Sequence, residues 1–135
     1  LEILDVVVPA IVAGWALGRV LGPQFMVAGG GHETHQWFGL SYEGQVGRRV
    51  PVPLIQGAED ALLWRGLLWG EKRWSRGMTT ATAMVIWGLV RAIDERLLLQ
   101  QSSHTGSLAV QSAGLIMTMA GIVLAVSLRF RRVEN

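Results

Sequence analysis

Four stretches of this chain are apolar enough to be long helices, and each breaks its pattern differently. Residues 3–22 are apolar except for Asp5 and Arg19. Residues 54–70 are interrupted by Glu59, Asp60 and Arg65. Residues 79–99 stay uncharged to Val90 and then carry Arg91, Asp94, Glu95 and Arg96. Residues 106–128 hold no charged residue. About 20 mostly apolar residues in a helix span a bilayer. The pattern predicts an all-α, polytopic membrane helix bundle. It would have about four transmembrane helices in a single membrane domain, residues 1–135, with a long outer loop, residues 23–53, after the first.

Small residues recur at helical spacing in two of these stretches. Ala10, Gly14 and Gly18 are four apart; Ser107, Gln111, Gly114, Thr118, Gly121 and Ala125 alternate steps of four and three. Such stripes let membrane helices approach closely, so both are expected to be packing faces.

Composition sharpens the class. Half the residues are hydrophobic and 16% are charged, against about 25% in soluble domains. Mean hydropathy is +0.36. Eleven Arg and one Lys lie mostly at segment ends, a pattern that signals topology and gives no reason to expect nucleic acid as a partner. With Lys72, Arg73 and Arg76 in the cytoplasm, four crossings bring the basic tail, residues 129–135, to the same side. Both termini of the chain are then expected in the cytoplasm. There is no cysteine, which excludes a disulfide framework, a thiol nucleophile and a cysteine metal site. The start at Leu1 has no basic region and meets Asp5 early, so it reads as an internal point of a longer protein and not as a signal peptide.

The candidate chemistry sits where charge enters apolar helices. Placing Arg91 in a bilayer segment costs at least about 2.5 kcal/mol. Glu95, four residues on, shares its helix face and can pair with it. The cluster reads either as a pre-paired arginine for an anionic group at outer-leaflet depth or as a structural ion pair with Arg96 reaching the interface. Arg19 ends the first helix at the same expected depth, and two such cations could together hold a phosphate. In the outer loop, His32-Glu33-Thr34-His35 resembles a zinc-protease motif but is one residue short of the required spacing, so no metal and no cofactor is expected. His32 and His35 are candidate bases. No nucleophile triad, P-loop or dinucleotide fingerprint is present.

In order, these pieces resemble the second half of the prolipoprotein diacylglyceryl transferase family. Leu4-Asp5-Val6-Val7-Val8-Pro9-Ala10 with Gly14 and Gly18-Arg19-Val20 is similar to the family helix that opens on Asp and Pro and ends on Gly-Arg-Ile-Gly. Gly31 to Thr34 and Trp37 resemble elements of its outer loop, and Arg49 to Gln56 the element that opens its next helix. Gly77-Met78 opens the third helix as a glycine does there. Trp87-Gly88-x-x-Arg91-x-x-x-Glu95 resembles the signature Tyr-Gly-x-x-Arg-Phe-x-x-Glu. Departures include Ile55-Gln56 for Tyr-Glu, Trp87 for Tyr and Leu98 for the Arg three residues after Glu95, and the family's Asn and Glu after Gly-Arg are not matched by Gly22 and residues 23–30.

The resemblance implies a bacterial inner-membrane transferase. It would move diacylglyceryl from phosphatidylglycerol to the lipobox cysteine of a prolipoprotein signal peptide. It further implies Arg19, Arg91 and Glu95 as catalytic residues, with Gly18 and Gly88 joining the two arginines around the phospholipid head group. The alternative is a catalytically inactive relative that binds phospholipid or joins a membrane complex.

Overall fold

A computed structural model describes residues 1–22, 29–99 and 104–133. The first part of the expected outer loop (23–28), the connector at 100–103 and the last two residues of the tail lie outside the described residues. Four helices make up the fold: α1 (Glu2–Leu21), α2 (Val52–Glu71), α3 (Met78–Leu97) and α4 (His104–Val133). A short hairpin, β1 (Leu40–Ser41) against β2 (Arg48–Arg49), lies between α1 and α2. The all-α expectation holds, with this hairpin added inside the loop.

α1 and Gly106–Phe130 of α4 are long and apolar enough to cross a membrane. α2 and α3, at 20 residues each, have the length at 1.5 Å per residue but carry the charged clusters. Apolar side chains point outward: Ile3, Leu17, Leu62, Ile116 and Phe130 are all more than 60% exposed. Patches of this kind on a folded chain mark contact with lipid or protein.

α1 packs on α2 and α3 on α4, with thinner seams of α3 against α1 and α2. α1 buries Pro9, Val12 and Ala16, steps of three and four. α2 buries Gln56, Asp60, Leu63 and Leu67 on the same rhythm. Val12, Leu63, Leu67 and Ala83 form the apolar core, flanked by Val8, Trp74 and Trp87.

The α3–α4 seam is built on backbone. A Cβ on Gly88 would sit 2.5 Å from the carbonyl oxygen of Gly114, and one on Gly114 2.6 Å from that of Gly88. Thr118 turns its hydroxyl inward to the Gly114 carbonyl at 2.9 Å. The α4 stripe is thus a packing face, as expected. The α1 stripe is not: a Cβ on Gly14 or Gly18 would meet nothing within 4 Å, and Ala10, Gly14 and Gly18 are exposed. The packed side of α1 is the one carrying Val12 and Ala16, where α2 supplies the glycine: a Cβ on Gly57 would lie 2.7 Å from Val20.

Asp5, which breaks the apolar run in sequence, caps another helix. α3 starts at a left-handed Gly77 (φ +84°) with no side-chain cap of its own. The Asp5 carboxylate accepts from the Gly77 N–H, from the Thr80 N–H at 2.9 Å and from the Thr80 hydroxyl at 2.6 Å. This satisfies donors that a helix start leaves without intrahelical partners.

A candidate anion-binding site

α1, α2 and α3 alternate in direction, so the end of α1, the start of α2 and the end of α3 meet at one end of the bundle. That end collects Arg19, then Gln56, Glu59 and Asp60, then Arg91 and Asp94. A cavity of about 660 Å³ opens there. Arg19, Gln56 and Arg91 supply its charged and amide groups, Gly14, Trp15 and Gly18 one wall, and Gly29, Gly30 and Leu99 its rim.

Arg19 pairs with Asp60 at 3.4 Å, with side chains 13% and 5% exposed. Its guanidinium carbon also stands 6.0 Å over the Trp15 ring, and Trp15 meets Trp87 edge-on at 5.7 Å. Gly57 is what lets α2 approach α1 at this level, with the Arg19 stem 3.9 Å from where its Cβ would be. Asp94 is buried and accepts from the Gln56 amide at 2.9 Å; Glu59 reaches the same carboxyl. Arg19 and Arg91 lie within electrostatic reach of each other and of Asp60 and Asp94.

Among the described residues the buried Arg91 Nη1 has no hydrogen-bond partner, while Arg19 Nε meets Asp60 Oδ2 only through the 3.4 Å ion pair; Asp60 Oδ2 and Glu59 Oε2 likewise accept no hydrogen bond. A buried donor without an acceptor costs on the order of 1–3 kcal/mol, more if charged. Two cations on one cavity wall, Arg91 with an unmet buried donor, suit an anion with several acceptor oxygens. The carboxylates behind them keep the pair of like charges tolerable without matching every donor.

The sequence candidates divide cleanly. Arg19, Arg91 and Gly18 line the cavity together. Gly88 does not; it faces Gly114 across the α3–α4 seam. No ion pair joins Glu95 to Arg91 among the described residues. Ala83, Trp87, Arg91 and Asp94 follow one another at four, four and three residues, and Asp94 takes the buried position. By the same spacing Glu95 shares the side of Gly88 and Ala92, towards α4. His32 and His35 are exposed and stand outside the cavity wall.

The loop residues around them hold the rim. The Gly31 N–H donates to Val50 at 2.9 Å and the His32 N–H to Leu98 at 3.1 Å. A Cβ on Gly31 would collide with the Leu98 carbonyl. Gln45 clasps Gly30 from both ends of its amide, at 2.8 and 3.0 Å.

The sequence did not single out Gln56 and Asp60, and within the charged cluster it favoured Glu95 over Asp94. The first two were accessible, since they lie on the same helical stripe as Leu63 and Leu67. Asp94 was not separable from Glu95 by spacing, because positions three and four residues after Arg91 are both neighbours on a helix. Comparison with protein families, curated proteins and solved structures returns no match to this chain.

Proposed function

We propose that this chain is a four-span protein of the bacterial inner membrane with both of its ends in the cytoplasm. We further propose that it transfers diacylglyceryl from phosphatidylglycerol to the lipobox cysteine of prolipoproteins. The observation that carries the reading is the convergence of Arg19 and Arg91, from different helices, on one cavity, with Arg91 Nη1 left without a partner among the described residues. The positive-inside orientation puts that cavity at the outer leaflet, where a phospholipid enters sideways and a signal peptide presents its cysteine.

In the reaction, the substrate thiol sulfur bonds to the glycerol carbon next to the phosphate. The carbon–oxygen bond breaks, its electron pair leaves on glycerol phosphate, and the thiol proton passes to water. The leaving phosphate gains one negative charge. Donors already aimed at that charge lower the barrier, and removing one such donor typically costs about 10²–10³-fold in rate. Asp60 orients Arg19, and Asp94 holds the α2–α3 side of the site through Gln56.

A second reading, a lipid-binding relative without the chemistry, is favoured by the exposed histidines and by Ile55-Gln56 in place of Tyr-Glu. One experiment separates the two. The protein is reconstituted with phosphatidylglycerol labelled in its acyl chains and a lipobox peptide, and label on the peptide is measured. Transfer that falls at least about 10²-fold in Arg91→Gln supports the enzyme. Lipid binding without transfer supports the second reading, and absence of both sinks the two together.

A further inference from the structure

The two arginines account for a phosphate but not for the head group beyond it. Among the described residues, Gln56 is the remaining hydrogen-bonding side chain that lines the cavity with the two arginines. It is 3% exposed, so its position is fixed by packing. Its orientation is fixed by chemistry. The Gln56 amide donates through its NH₂ to Asp94 Oδ2 at 2.9 Å, which turns its carbonyl end away from that carboxyl. The other end, Oε1, accepts no hydrogen bond from any described residue. Reversing the amide would set two acceptors against each other in a buried site.

We infer that Gln56 Oε1, aimed by Asp94, accepts a hydrogen bond from a hydroxyl on the head group of the bound lipid, and so selects phosphodiester lipids that carry one. The inference rests on the phospholipid reading of the same cavity and deepens it. Three features combine: donors for the phosphate from Arg19 and Arg91, an acceptor for the hydroxyl from Gln56, and a carboxylate that stops the acceptor from turning into a donor. Gln56 is a specificity residue, and Asp94 is a positioning residue that acts through it. A site built to accept from a hydroxyl discriminates against the analogue lacking it, because its own polar group is then left unpaired.

The test compares two lipids of equal charge, phosphatidylglycerol and phosphatidylethanol, for binding to the full chain in nanodiscs. The wild type is expected to hold phosphatidylglycerol at least about tenfold more tightly. In Gln56→Met that ratio collapses towards one while phosphatidylethanol affinity stays within about twofold. Asp94→Asn, which frees the amide to turn, lowers the ratio in the same direction. A purely structural role for Gln56 weakens both lipids alike and keeps the ratio, which overturns the inference. Equal affinities in the wild type overturn it too, while leaving the phosphate site standing. If neither lipid binds, the phospholipid reading falls as well.

Discussion

Two stripes of small residues look alike in sequence and do opposite things in the fold. On α4, Gly114 and Gly121 press against α3 so closely that an added Cβ would meet backbone oxygen. On α1, Gly14 and Gly18 touch nothing and form a wall of the cavity beside Arg19. Glycine spacing records that side chains are absent along a line. It does not record whether another helix or an open space fills that line. On α1 the neighbouring arginine marks the difference: a charged side chain one residue after Gly18 lines a cavity, whereas the polar groups of the α4 stripe, Ser107, Gln111 and Thr118, bond within the helix pair.

The most damaging break of this comparison is a side chain in the α4 seam. Gly114→Val is expected to destabilise the fold by about 3 kcal/mol, since rigid backbone must move, while Gly14→Val leaves stability within about 0.5 kcal/mol. Unfolding titrations in detergent measure both, and equal losses would erase the distinction between seam and wall. The second test enlarges the wall: Gly14→Leu is expected to lower phosphatidylglycerol affinity at least about tenfold with an unchanged unfolding midpoint. Unchanged binding would show that the lipid does not lie against α1.

The third test concerns the packed side of α1, which begins at Asp5. Asp5→Ala removes the cap on α3 and is expected to cost about 1 kcal/mol without changing the lipid ratio set by Gln56. The smallest effect is in the outer loop. The Tyr42 ring is buried and its hydroxyl has no partner among the described residues, so Tyr42→Phe is expected to change stability by less than about 0.5 kcal/mol. Burial raises the Tyr42 pKa above its usual 10. A raised pKa means the unfolded chain loses this proton first. The wild-type loop therefore loses stability as pH rises above about 10, and Tyr42→Phe removes that part of the alkaline loss.

Helix positions were legible because apolar runs of 20 residues admit little else; α2 starts at Val52, two residues before the expected boundary, and α4 runs on to Val133, taking in the first five residues of the expected basic tail. The pairing of helices was not, since both stripes predicted seams and only one is. Arg19 and Arg91 stood out because a charge in an apolar segment is costly. Their carboxylate partners did not, because Asp60 and Asp94 each sit beside another acid, and which of the two faces inward depends on helix rotation within the bundle. Asp5 read as an interruption because its partners, Gly77 and Thr80, are more than 70 residues away in the chain.

On the proposed reading, Arg19 and Arg91 hold one anion together. A double-mutant cycle on phosphatidylglycerol binding in nanodiscs tests it directly, with Arg19→Gln, Arg91→Gln and the pair. Each single change is expected to weaken binding at least about tenfold, and the double change to lose clearly less than the product, the mark of groups acting on one ligand. Full affinity in either single variant, or losses that simply multiply, would contradict it.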